Sequence, residues 1–128
     1  MATKTITHEN FQETLDKADI LIVDFWASWC GPCRMFAPTF EKASNAHPDV
    51  VFGKVDTEDQ QDLAGFFQIR SIPTLMIFRE KVLLYNEAGA MPAEALDQLI
   101  AQVKGLDMAA IHAEIAAQQG AAPEAPSA

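Results

Sequence analysis

Cysteine is scarce in this sequence: there are two in 128 residues, Cys30 and Cys33. That excludes a disulfide-stapled secreted scaffold. It also excludes a four-ligand zinc centre, because His8, His47 and His112 are too scattered to complete a site around one cysteine pair. Basic residues are few, nine against eighteen acidic ones, for a formal net charge of -9. Bulk charge therefore draws the chain to neither nucleic acid nor an anionic membrane surface. No apolar run reaches the ~18 residues that a membrane-spanning helix needs, and no G-x-G-x-x-G fingerprint marks a dinucleotide site. The opening Met1-Ala2-Thr3-Lys4-Thr5-Ile6 lacks the apolar core and cleavage site of a signal peptide. The expected location is thus a reducing cytoplasm, where a lone cysteine pair is more often catalytic or metal-binding than structural. No internal repeat is present.

The patterns that are there describe one domain. Thr7 opens a helix over about 8–17 whose inner face carries Phe11, Leu15 and Ala18; with Asn10 in place of Glu or Gln, it makes half a capping box. Ile20 to Trp26 is apolar on both faces apart from Asp24, the pattern of a central strand covered on both sides. A helix follows over about 33–46 with Met35, Phe36, Phe40 and Ala43 at helical spacing, and Pro38 inside it implies a kink. Val50 to Asp56 is a second central strand, interrupted by Gly53 and Lys54. Thr57-Glu58-Asp59 leads a short helix through Leu63, Phe66 and Phe67. Pro73 sits just before the strand Leu75 to Phe78, because proline cannot donate to a ladder.

Arg79-Glu80-Lys81 reverses the chain into Val82 to Tyr85. The absence of glycine and asparagine there disfavours a turn with two positive φ angles. Pro92 opens a helix with Leu96, Leu99, Ile100 and Val103 on one face, and Gly105 stops it. Together with an edge strand near Lys4 to Ile6, this is an α/β domain: a central mixed β-sheet flanked by helices on both faces, over residues 1–105. Residues 106–119 add a C-terminal amphipathic helix capped by Asp107 and striped with Met108, Ile111 and Ile115. Gly120 ends it, and 120–128, rich in alanine with two prolines, reads as a flexible tail.

The chemistry concentrates in Trp29-Cys30-Gly31-Pro32-Cys33, at a strand-to-helix turn. Unpaired helix N–H groups and the positive end of the helix dipole favour thiolate over thiol there, and the thiolate is the nucleophile. Cys33 lies one helical turn on, close enough to close a disulfide. Cys30 precedes the helix and is expected to be the more exposed, attacking thiol, with Cys33 resolving the mixed disulfide.

Val23-Asp24-Phe25-Trp26-Ala27-Ser28-Trp29-Cys30-Gly31-Pro32-Cys33 resembles the active-site segment of the thioredoxin family, and Arg70-Ser71-Ile72-Pro73-Thr74-Leu75 resembles its second signature. Lys54-Val55-Asp56 and Gly89-Ala90 fall where that family would place them, and the resemblance covers about residues 4–105. It departs at Glu80-Lys81, one residue shorter than the usual glycine-bearing turn, and beyond Gly105. The resemblance implies a thioredoxin fold and reduction of protein disulfides through a mixed disulfide on Cys30. It implies a cis peptide before Pro73. Asp24 would take the proton of Cys33, with Lys54 acting in the opposite sense to burial. Trp29, Gly31, Pro32, Ile72, Pro73, Gly89 and Ala90 would form the substrate-binding rim, and Gly31-Pro32 resembles the reductants of the family.

No cofactor is expected on this chain; NADPH and FAD would sit on a partner, thioredoxin reductase. Disulfide-containing proteins are the expected substrates and a monomer the expected state. A competing reading is a binding module docked to a partner through the stripe Met108, Ile111, Ile115, with redox activity incidental.

Overall fold

The structure, a computed structural model, describes residues 2–121. Five strands form one mixed sheet in the order β1-β3-β2-β4-β5. They are β1 Thr3–Thr5, β2 Ile20–Trp26, β3 Val51–Asp56, β4 Thr74–Arg79 and β5 Val82–Ala88. β1, β3 and β2 run parallel, and β4 and β5 are antiparallel to their neighbours. The helices are α1 Phe11–Lys17, α2 Gly31–Ala46, α3 Gln61–Phe66, α4 Ala93–Lys104 and α5 Met108–Ala121.

Alternation along β2 divides the core. Ile20 and Ile22 pack with Phe36 and Phe40 of α2 and with Leu96, Ile100 and Val103 of α4. Leu21, Val23 and Phe25 face the other way, onto Leu63 of α3 and the half-buried Phe11 and Leu15 of α1. Both faces are therefore covered, as the unbroken apolar run requires. Asp24 lies on the α2 face, completely buried.

Several elements differ from the sequence expectation. α1 starts at Phe11 because Thr7 to Asn10 forms a separate turn, whose capping box is closed rather than half-formed: Asn10 N–H donates to Thr7 Oγ1 at 3.2 Å, and Thr7 N–H to Asn10 Oδ1 at 2.8 Å. Asparagine reaches back as glutamate would. α2 begins at Gly31, not Cys33, since Pro32 suits a first-turn position, and it runs on through Pro38 to Ala46. Met35 is 79% exposed and Phe66 76%, so neither joins the core; Phe67 does, with its ring edge-on to Phe11, Phe25 and Phe78. Gly105 closes α4 at φ -87, without a left-handed residue. α5 continues through Gly120 to Ala121, and the rest of the expected tail, 122–128, lies outside the described residues.

The hairpin is the clearest correction. Glu80 and Lys81 both have positive φ, 50 and 69. A two-residue link between strands of right-handed twist demands the primed turn whatever the side chains. The turn is held from outside. Glu80 N–H donates to Asp19 O at 2.8 Å, and Glu80 pairs with His112 of α5 at 2.8 Å. Next to it Arg79 Nη1 donates to the carbonyls of Val103, Lys104 and Leu106, so β4 caps the end of α4 and fixes where α5 departs. Of the expected stripe on α5, Met108 is buried and Ile111 and Ile115 are half-buried.

Two stability tests follow from these contacts. A Cβ on Gly53 would fall 2.5 Å from Cγ1 of the fully buried Ile6, so Gly53→Ala should destabilise by about 1–3 kcal/mol in urea unfolding. Lys81→Gly should raise stability by about 0.5–1 kcal/mol, since it relieves a left-handed L-residue and gives up only an exposed ion pair to Asp16. A loss of stability would contradict the turn as described.

Candidate active site

β2 delivers the chain, still buried at Ala27, into a turn at Ser28 and Trp29. The turn is pinned by Cys30 N–H to Ala27 O at 3.2 Å and by Arg34 Nη1 to Ser28 O at 3.0 Å. Cys30 then occupies the N-cap of α2, and its Sγ accepts the Cys33 N–H at 3.2 Å. The sulfur thus stands where a serine or aspartate oxygen would cap a helix, beside donors that stabilise negative charge. Cys30 and Cys33 are joined by a disulfide across a Cα–Cα distance of 5.2 Å. Cys30 is 4% exposed and Cys33 2%, so both are buried and the expected order holds by a narrow margin.

Opposite them is the loop before β4. The Ile72–Pro73 peptide is cis, and Ile72 O lies 3.7 Å from Cys30 Sγ. Ile72, half-buried, packs on the cluster of Ala27, Cys30 and Cys33. Gly89 N–H donates to Pro73 O at 2.7 Å, with Gly89 at φ +110, a conformation L side chains rarely adopt. That bond ties the residue just after β5 to the loop before β4, and Gly89 and Ala90 are exposed. Trp29 is 64% exposed and Pro32 exposed, with Gly31 partly covered between them. Of the residues expected at the rim, Ile72 packs directly on the cysteine cluster, and Gly31 and Pro32 lie between the two cysteines in the chain.

Asp24 and Lys54 are register partners on β2 and β3. Neither carboxylate oxygen of Asp24 has a hydrogen-bond partner. Burial pushes its carboxyl up from the ordinary 3.8 to about 7, and the field of Lys54 opposes that rise without cancelling it. The Lys54 ammonium sits instead over the Trp26 ring, 4.9 Å from its centroid. Trp26, half-buried, packs on the cysteine cluster, and Thr57 donates both its N–H and its hydroxyl to Trp26 O, at 2.8 and 3.0 Å. Sequence reasoning missed the Lys54–Trp26 contact, the Thr57 anchor and the Arg34 staple. The one usable signal was that Trp26 follows Asp24 by two residues and so shares its face of the strand.

Two sulfurs that close a ring across one helical turn, at the end of a central strand, can do what neither does alone, which is to cycle between dithiol and disulfide. The protein is a thiol–disulfide oxidoreductase. It belongs to the thioredoxin family: the family model "Thioredoxin" matches residues 2–102. The chain is 50% identical over 121 residues to a putative thioredoxin 2 of Streptomyces coelicolor, spanning 94% of this chain and 90% of that one. It is 40% identical over 103 residues to a thioredoxin of Alicyclobacillus acidocaldarius, spanning 80% and 98%. A solved structure of Plasmodium falciparum thioredoxin superposes with a TM-score of 0.71 at 33% identity, covering 77% of this chain and 97% of that one. Among the described residues no helix is long and apolar enough to cross a membrane.

The buried carboxyl leaves a signature in stability. The folded protein holds the Asp24 proton at pH values where the unfolded chain has already released it. Asp24 therefore lowers stability progressively as pH rises from about 4 to about 7, by about 4 kcal/mol at most, and the loss stays constant above that. Asp24→Asn should remove this decline and leave the protein more stable than wild type at pH 8. Denaturant unfolding across pH reads it directly, and an unchanged slope between pH 4 and 7 would contradict it.

Proposed function

We propose that Cys30 is the attacking thiol and Cys33 the resolving one in reduction of protein disulfides. The observation that carries this reading is the capping position of Cys30 Sγ, 3.2 Å from the Cys33 N–H and 3.7 Å from Ile72 O. In the dithiol form the Cys30 thiolate attacks one sulfur of a target disulfide. A bond forms between Cys30 and that sulfur, and the other target sulfur leaves as thiolate. Cys33 then gives up its proton and attacks Cys30 Sγ. The second target thiol is released and the Cys30–Cys33 disulfide forms. The second step is intramolecular, so the mixed disulfide is short-lived.

Asp24 is the acceptor for the Cys33 proton. A carboxyl held near 7 is far better matched to a thiol than an ordinary one would be. Lys54 keeps it from rising further. An extended segment of the target lies along Ile72 and Pro73, using backbone groups of Ile72 in strand-like fashion, and Trp29, Gly31, Pro32, Gly89 and Ala90 supply the apolar rim. Electrons return from a thioredoxin reductase that carries the FAD and takes them from NADPH. The setting is the cytoplasm and the active form a monomer, with residues 1–105 as the redox unit.

Turnover of a protein disulfide coupled to reductase and NADPH tests the roles. Cys30→Ser should abolish turnover. Cys33→Ser should accumulate a covalent adduct with the target through Cys30, visible by non-reducing electrophoresis. A chain ending at Gly105 should keep its turnover. Turnover surviving in Cys30→Ser, or an adduct forming only through Cys33, would overturn the assignment.

A further inference from the structure

We propose that Trp26 is a positioning residue: its indole face holds the Lys54 ammonium away from the Asp24 carboxyl, so that the carboxyl stays free of an ion pair and open to Cys33. The inference rests on the reading of Asp24 as proton acceptor.

Register puts Asp24 and Lys54 side by side, and a lysine beside a buried carboxylate would ordinarily pair with it. Here it does not: both Asp24 oxygens are buried without a partner, and Lys54 Nζ is 4.9 Å from the Trp26 centroid. The ring offers the better compromise. Trp26 and Lys54 are both half-buried, so the ammonium can keep water on one side while the π face takes the other. Moving onto Asp24 would strip that water in a fully buried site. Thr57 anchors the backbone that carries the ring, donating its N–H and hydroxyl to the Trp26 carbonyl, and the side chain packs on the cluster of Ala27, Cys30 and Cys33.

Among the described residues no other charged group competes for the carboxyl. On β4 its register partner is Leu75, and on α2 the inward groups are Cys33, tied in the disulfide, and apolar Phe36. Beyond Lys54 on the same face of β3 is Asp56, whose Oδ1 accepts the Glu58 N–H at 3.0 Å. Lys54 is the one charge that bears on Asp24 among the described residues. Where its ammonium rests therefore decides whether the carboxyl behaves as a proton acceptor or as half of an inert ion pair.

The test is carbon-13 NMR titration of the Asp24 carboxyl in the oxidised protein, for wild type, Trp26→Leu, Trp26→Phe, Lys54→Met and the double variant Trp26→Leu with Lys54→Met. Trp26→Leu should lower the Asp24 midpoint by about one pH unit or more, roughly a tenfold loss of proton affinity. Trp26→Phe, with a weaker π face, should lower it less, and it carries the test if the leucine variant does not fold. With Lys54 replaced, the Trp26→Leu change should have no such effect. A midpoint unmoved by Trp26→Leu, or lowered equally when Lys54 is absent, would overturn the proposal, the second result assigning the ring to water exclusion alone. The readout is the carboxyl itself, so it stands apart from the reading of Asp24. That reading fails separately if Asp24→Asn leaves the pH dependence of target release unchanged.

Discussion

One unpaired carboxyl, buried in the middle of the central strand, is the constraint on which the rest of the structure turns. Asp24 has no hydrogen bond and no exposure, and its charged form above pH 7 costs stability. Only a sheet covered on both faces can carry such a group, because an exposed face would hydrate it and return it to the ordinary carboxyl range. The two helix layers that hide Asp24 also set its chemistry. α2 covers it, and α2 brings Cys30 and Cys33 to the end of the same strand.

The cysteine end of the molecule is assembled from backbone geometry more than from side-chain bonding. A sulfur replaces the usual oxygen at a helix N-cap, and a cis peptide turns Ile72 O toward that sulfur. A glycine at positive φ then ties β5 to the same loop. The opposite end of the sheet is held by charge. Arg79 binds three carbonyls at the end of α4, Glu80 meets His112, and Lys104 bridges His47 and Asp49. α5 belongs to this second end. Of the stripe on α5, Met108 is buried and Ile111 and Ile115 are half-buried.

Most of the fold was legible because it rests on periodicity. β2 stood out as an unbroken apolar run, and Asp24 as the exception within it. The active-site stretch was legible because the sequence has only two cysteines and they follow a strand-to-helix turn, at the start of the helix. The cis peptide before Pro73 was legible only through family resemblance, since composition gives no such signal. What was missed depends on neighbours remote in sequence. Glu80 and Lys81 adopt positive φ because strand twist demands it, against their own preference. Met35 sits beside Phe36 in the sequence yet faces solvent, because the inward stripe follows Cys33, Phe36, Phe40 and Ala43 and Met35 falls off its edge. Lys54 reaches past its register partner to an aromatic ring, a choice set by which site keeps water.

The central claim is that Asp24 removes the proton from Cys33 as the mixed disulfide resolves. Single-turnover release of a target from Cys30, followed across pH in wild type and Asp24→Asn, tests it most directly. The account predicts that wild-type release rises with pH through a midpoint near the Asp24 ionisation, about 7 in the disulfide form. In Asp24→Asn that inflection should vanish and release should slow by about 10²-fold or more at neutral pH, the usual scale for losing a general base. Equal rates and equal pH profiles in the two proteins would contradict it.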